Sequence, residues 1–545
     1  MTVRTNAAFI GRSRAEQRRN NNLPTAMGRA GPIQRGRLIE AIDTSLRCDA
    51  TPAEEAAAVA AIQLILVTGR SLAEVYGLQL VEGTPHDFQS AECSWLIRYG
   101  QGYALAMPAG TSAAVGLPSA SAKRLVLPQA QSFTSEVGRI TAKCLRRHLG
   151  PQIWDQTGFE QDTWAGGKRL FECRAETLEA AVHAFLRQAA NRFGITRRRQ
   201  LISLVRLSRV FRDALINTPG GDEAQARVMT GRMGGGGHAT SFYTAGTGPA
   251  LARTHAAAAT AAKIDSFDRR VIERIERPLD LSIGSRFVPT DAAVAIFRER
   301  AVATLARDRR RRHLQPDLKT LHEAMLVYTW TKWAICVGGR SIKAPLLHPN
   351  KIDSESGFGF FNDKAYTQAG SAQLVRQATH RDCDQDYLLD YKARLVWVPP
   401  HVQGQLLAYE QHVERLQTSN LLPEHQRRRL AAMTAARPDR LPFFELTVDL
   451  EIKELRPGQF EKMLASATWD WPMKMNAFRH LLRSRLSGQI SCEVIDALLG
   501  HWQVGQEPWS NGSALDPMLF RETLKVAYTQ LLPEADWPVL HGLGN

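Results

Sequence analysis

Cysteine is sparse in this chain. Seven cysteines (Cys48, Cys93, Cys144, Cys173, Cys336, Cys383 and Cys492) are scattered through 545 residues, and none forms a Cys-x-x-Cys pair. That excludes a zinc ribbon and a dithiol redox motif, and isolated thiols fit a reducing cytoplasm. Long apolar runs are missing too: no stretch reaches the roughly 18 consecutive apolar residues that cross a bilayer. Residues 1–22 are polar and basic with no hydrophobic centre, which excludes a secretory signal there. The tetraglycine 234–237 has no lysine where a P-loop needs one, so nucleotide hydrolysis is not expected. Acidic residues are outnumbered, 54 against 69 Lys plus Arg, for a net charge of +15 and a pI near 9.7. Such a balance calls for a polyanionic partner, and 44% apolar residues is enough for a folded core.

Composition breaks divide the chain into a disordered basic arm (1–35), a mostly helical unit (36–255), a connector (256–289) and a second unit (290–545). Strands are expected near 94–107, 125–127, 357–361 and 395–398, inside a background of helical periodicity that includes 292–306, 403–416 and 518–532. Residues 256–263 read as an Ala-rich helix, and 381–390 and 434–441 as loops. The fold class is mainly α, α+β.

The chemistry-bearing residues fall in order along the second half. An apolar helix ends at Gly338-Gly339 and presents Arg340. Residues 357–361 form a strand leading to Lys364 in a turn. Ala393-Arg394-Leu395-Val396-Trp397-Val398-Pro399-Pro400 is a short strand closed by prolines before a helix. His480-Leu481-Leu482-Arg483 puts a histidine and an arginine on one helical face, and Leu499-Gly500-His501-Trp502 follows. Guanidinium groups offer paired donors to phosphate oxygens, and imidazole can donate a hydrogen bond or move a proton near neutrality.

In that order the parts resemble the catalytic domain of the tyrosine recombinase (phage integrase) family over about the last 250 residues. The resemblance implies a helical domain with a small β-sheet, in which Arg340 and Arg483 clamp the scissile phosphate and Lys364 protonates the leaving 5′ oxygen. By the same resemblance His480 assists proton transfer, and His501 or Trp502 hydrogen-bonds the phosphate. A pentacoordinate phosphorane gathers negative charge, so preorganised cations stabilise it more than the ground state. The family's covalent phosphotyrosine conserves the phosphodiester energy, which implies neither ATP, metal nor other cofactor. Partners implied are double-stranded DNA and further copies of the chain on DNA, with a partner recombinase as another option. Arg309-Arg310-Arg311-Arg312, on a helix ahead of these parts, is assigned to DNA-backbone contact.

The chain departs from the family at the nucleophile, since no tyrosine stands in 503–514. Two tyrosines are candidates: Tyr528, inside an amphipathic helix, and Tyr243, after the tetraglycine. Ser510 and Ser513 also carry hydroxyls able in principle to attack a phosphate, although Ser510-Asn511-Gly512-Ser513 reads equally as an ordinary turn. Tyr243 has company in the first half, where an apolar helix ends in Gly69-Arg70, Leu125-Val126-Leu127-Pro128 echoes the proline-closed strand, and Gly231-Arg232 stands where Gly500-His501 stands. This suggests two tandem copies, the first degenerate. The expected function is a site-specific DNA recombinase or integrase of a mobile element. The alternatives are a catalytically inactive DNA-binding accessory relative of a recombinase, and a basic helical DNA-binding protein unrelated to either.

Overall fold

The computed structural model describes residues 30–543 except 49–50, 84–93, 100–101, 110–117, 151–167, 195–201, 219–220, 232–241, 268–280, 311–316, 363–393, 502–507, 510–512 and 514. The chain is mainly helical with small sheets, and it divides into two compact units. Unit 1 takes the chain to 113, then 128–237 and 246–284; unit 2 takes 114–127, 238–245 and 285–545.

The first described helix of unit 1 is α1 (Pro32–Arg47), with Pro32 as its first residue. Proline suits this position because its missing N–H would have no helical partner there. Of the expected 1–35 arm, 1–29 lie outside the described residues and 32–35 are helical. The unit's centre is α2 (Ala53–Thr68), buried without interruption from Ala56 to Thr68. A helix that is apolar all round must be surrounded, and here the sheet and later helices do so. The sheet has the order β4-β3-β2-β1-β5, with β1 (Gln79–Glu82), β2 (Trp95–Tyr99), β3 (Gly102–Pro108), β4 (Ser132–Glu136) and β5 (Lys168–Arg169). Only β1 and β2 run parallel among the registered pairs. Period-two alternation sends Leu80, Leu96, Leu105 and Phe133 into the main core and Val81, Ile97, Ala104 and Ala106 to the other face.

Helices α3 (Arg139–Leu149), α4 (Ala175–Arg192), α5 (Leu204–Asn217), α6 (Glu223–Thr230) and α7 (Gly248–Ala261) complete unit 1. Gln63 of α2 donates to Thr141 Oγ1 of α3 (3.0 Å) and to the Ile264 carbonyl (2.8 Å), so a buried amide is satisfied. Helix α7 starts before the expected Ala256, because Thr247 caps it and Pro249 sits in its first turn. His255, Ala256, Ala258 and Ala259 are buried, so the first part of the expected connector is packed interior.

In unit 2, α8 (Asp291–Arg310) packs on α9 (Leu318–Val337), a buried central helix like α2. Strands β6 (Phe358–Phe361) and β7 (Arg394–Trp397) pair antiparallel, with Phe361 opposite Arg394. Helices α10 (Pro400–Thr418) and α11 (Glu424–Ala435), the pair β8 (Phe444–Leu446) and β9 (Ile452–Glu454), and helices α12 (Pro457–Leu464), α13 (Ala477–Leu486), α14 (Cys492–Leu499) and α15 (Pro517–Leu531) follow. Residues 125–127 form no strand of their own. They bridge to 288–290 through Leu127 N–H to the Val288 carbonyl (2.9 Å) and Thr290 N–H to the Leu125 carbonyl (2.8 Å). The 434–441 loop starts two residues late, since Thr434 and Ala435 belong to α11, and 381–390 lie outside the described residues. The C-terminal residues fold back on α9 and α10: Lys332 donates to the Trp537 carbonyl (2.6 Å), and Gln405 accepts from Leu540 N–H (2.8 Å). No described helix is long and apolar enough to cross a membrane.

Candidate functional site

Two helix ends converge in unit 2. Helix α9 ends on Gly338 at φ +55°, with Gly338 N–H bonded to the Ala334 carbonyl. Helix α14 ends on Gly500 at φ +68°, where His501 N–H bonds the Asp496 carbonyl (2.9 Å) and Gly500 N–H the Ala497 carbonyl (3.4 Å). That is a Schellman closure, which only a residue tolerant of positive φ completes cheaply. The turns touch: a Cβ at Gly338 would stand 2.6 Å from Leu499 Cδ2. They also hold Arg340 three residues past the end of α9 and His501 two residues past the end of α14.

Helix α13 crosses both ends with Arg479, His480 and Arg483 buried. Arg479 donates to the carbonyls of Gly338 (2.7 Å) and Leu499, and to His501 Nε2 (2.6 Å). Because a guanidinium only donates, His501 Nε2 accepts and the ring proton sits on Nδ1, 3.9 Å from Asp496 Oδ1. From β7, Arg394 donates to the carbonyls of Val337 (2.6 Å) and Leu498. Arg483 lies 3.7 Å from Asp496. Burial, and then the charges of Arg479, Arg483, Arg340 and Arg394, hold the His501 imidazole well below its ordinary range. His480 is pushed down to about 3 by burial and by Arg479, and its Nδ1 meets Ser285 Oγ at 2.6 Å. Both imidazoles are therefore neutral at pH 7.

Tyr243 belongs to the 238–245 segment of unit 2. Its ring stacks on His501 (5.4 Å between centroids, 16° between planes), lies 4.6 Å from the His480 ring, and carries the Arg479 guanidinium 5.0 Å from its centroid. Ser484, one turn along α13 from His480, fixes the backbone by donating to the Tyr243 carbonyl (3.2 Å) and accepting from Ala245 N–H (2.9 Å).

Tyr528 stands elsewhere. Its hydroxyl donates to the Cys336 carbonyl, its ring stacks on Trp397, and burial holds the phenol well above its ordinary range. Lys364, Arg311, Arg312, Arg232, Trp502 and Ser510 lie outside the described residues. Arg309 and Arg310 fall in the last turn of α8. Ser513 caps Leu515 N–H (3.1 Å). Among the described residues no group of three or more His, Cys, Asp or Glu is arranged to hold a metal ion.

Sequence reading missed Arg479 and Arg394. Arg479 lies four residues before Arg483, hence on the same helical stripe, and that signal was available. Arg394 reads as an ordinary strand residue. Comparison with protein-family models, curated proteins and solved structures finds no match to this chain.

Proposed function

We propose that unit 2 is a phosphoryl-transfer site of tyrosine-recombinase type, which breaks and rejoins DNA strands through a covalent protein–DNA intermediate. The observation that carries this reading is the Tyr243 ring stacked on His501, whose Nε2 accepts from Arg479 (2.6 Å), with Arg483 3.7 Å from the Asp496 carboxylate beside the same imidazole. A phosphodiester is an anion that the reaction makes more negative, so donors held in place beside it stabilise the transition state more than the ground state. Arg340, Arg479 and Arg483 hold the phosphate, and Arg479 joins the two arginines expected from the resemblance.

Tyr243 is the nucleophile in this account. Its phenolic oxygen forms a bond to phosphorus while the bond from phosphorus to the 5′ oxygen breaks, and the departing strand leaves as a 5′ hydroxyl, protonated by Lys364 on the family's pattern. The phenolic proton goes to an imidazole. Burial and the neighbouring arginines make His480 and His501 poor bases, and the negative charge of a phosphodiester raises their proton affinity. The joining step reverses these bonds, so atoms and charge balance without a cofactor.

The tandem-copy reading rests on matched turns. Helix α2 ends on Gly69 (φ +66°) with its N–H on the Ile65 carbonyl, as α9 ends on Gly338, and α6 ends on Gly231 (φ +69°) with its N–H on the Val228 carbonyl, as α14 ends on Gly500. A Cβ at Gly69 would stand 2.7 Å from Thr230 Cγ2, the counterpart of the Gly338–Leu499 approach. Unit 1 is then the copy that kept the frame and lost the charge. The accessory reading is favoured by one observation, that no tyrosine follows Gly500-His501 in the family's place.

The test is a nicked duplex bearing a sequence that the protein selects from a random pool. Wild-type protein traps a covalent adduct on it and Tyr243→Phe traps none. Binding without any adduct from the wild type supports the accessory reading instead.

A further inference from the structure

We infer that Arg394 is a positioning residue for this site: it sets the spacing of the two turns that carry Arg340 and His501. This inference rests on the phosphate-site reading above. The C-terminal ends of α9 and α14 meet, and helix C-termini carry unpaired carbonyls and a partial negative charge, so they repel unless a cation lies between them. Two arginines supply it in parallel. Arg394 joins the carbonyls of Val337 and Leu498, and Arg479 joins the next pair along, those of Gly338 and Leu499.

The two bridges differ in what else they reach. Arg479 also bonds His501 and lies on Tyr243, so it must respond when a phosphate arrives. Arg394 is 1% exposed, and its guanidinium lies 5.1 Å from the centroid of Phe361, its register partner across β6 and β7. The same ring has Arg440 4.5 Å from its centroid, and Arg440 donates to the Asn362 carbonyl (2.6 Å). Arg394 is thus anchored to the strand pair as well as to both helix ends, and it keeps the spacing while Arg479 turns to substrate. Reacting groups displaced by about 1 Å lose on the order of a hundredfold in rate, so a fixed spacing has a large effect on chemistry.

The experiment uses the full chain and reads modification of half-buried Arg340 by phenylglyoxal, quantified by peptide mass spectrometry, with inorganic phosphate as the protecting probe. Arg394→Gln removes the bridge. Gly338→Ala leaves every charge in place and wedges the same two turns, since its Cβ meets Leu499 and Leu482. Gly542→Ala is a wedge elsewhere in unit 2, against the His412 ring. The inference expects the phosphate midpoint for protection to rise at least tenfold in Arg394→Gln and Gly338→Ala and to stay within twofold in Gly542→Ala. If Arg394→Gln does not fold, Arg394→Met, of similar length and without a donor, carries the same expectation. A shift in the Arg394 variant with Gly338→Ala at the wild-type midpoint overturns the inference, because charge and not spacing is then what Arg394 supplies. Equal shifts in all three variants overturn it as well, leaving a general loss of stability. If phosphate fails to protect Arg340 in the wild type, the phosphate-site reading itself falls.

Discussion

Units 1 and 2 each bring together two helix ends that close on glycines at positive φ, and they differ in the charge gathered there. In unit 1 the Gly69 and Gly231 turns are lined by Thr68 and Thr230, whose hydroxyls bond back within their own helices at 2.7 and 2.8 Å. Arg70 lies over Gly231, paired with Glu74 at 3.2 Å and donating to the Pro108 carbonyl. Glu223 pairs with Arg212 at 2.5 Å and Arg227 at 3.0 Å. In unit 2 the named contacts set Arg340, Arg394, Arg479 and Arg483 around His501 with Asp496 as the carboxylate beside them. Both frames use two glycines at positive φ and a close approach, and both have a guanidinium at the junction: Arg70 over Gly231 in unit 1, Arg394 and Arg479 across the helix ends in unit 2. The difference is that unit 2 adds Arg340, Arg483 and His501 beside that junction, where the proposed phosphate would sit.

The largest expected contrast is chemical. Arg340→Ala lowers trapped adduct by about 10²–10³, the usual effect of losing one transition-state donor, whereas Arg70→Ala leaves adduct within about twofold and lowers only the stability of unit 1. Equal losses of adduct would break the comparison, since both turn pairs would then be engaged in chemistry.

Acid gives a second contrast. In unit 2, His322 and His401 are depressed to about 4 and His480 to about 3, with burial the main cause, and His412 and His501 lie well below their ordinary range. In unit 1 the depressed histidines are His255, at about 4, and His148. A histidine depressed by folding takes up its proton more readily when unfolded. Its contribution is complete above the unfolded pKa near 6.5 and is lost as pH falls toward the folded value. Asp265 of unit 1 has the opposite shift, raised by burial, so its contribution is lost as pH rises. Hydrogen exchange resolved by peptide, from pH 6.5 down to 4, is expected to show unit 2 losing protection at a higher pH than unit 1. The reverse order would mean that the buried imidazoles do not govern acid stability.

The smallest effect separates the two tyrosines. Tyr528→Phe removes the hydroxyl bonded to the Cys336 carbonyl and costs unit 2 about 1–2 kcal/mol in urea unfolding, with adduct unchanged per folded molecule. Loss of adduct in that variant would return Tyr528 to the chemistry.

Legibility followed how local each feature is. The Gly-Arg and Gly-His turns could be read because positive φ is a local demand, and α2 and α9 because their apolar runs are unbroken. The mainly helical class was legible for the same reason. The five-stranded sheet was not read as such. β5 is two residues long and β1 four, and their pairing is chosen by partners distant in the chain. Within the site, Arg483 was chosen by its spacing from His480, while a helix turning 100° per residue brings Arg479 to the same stripe and nearer the α9 and α14 ends. Arg394 carries no local sign of its task, because the carbonyls it joins are distant in sequence.

The central claim, that unit 2 transfers a phosphoryl group through Tyr243, is tested most directly by locating DNA on the protein. Trapped adduct is digested with nuclease and protease, and the peptide retaining a nucleotide is sequenced by mass spectrometry. The account predicts the nucleotide on Tyr243. A nucleotide on Tyr528 or Ser513, or none on a protein that still binds its selected duplex, would contradict it.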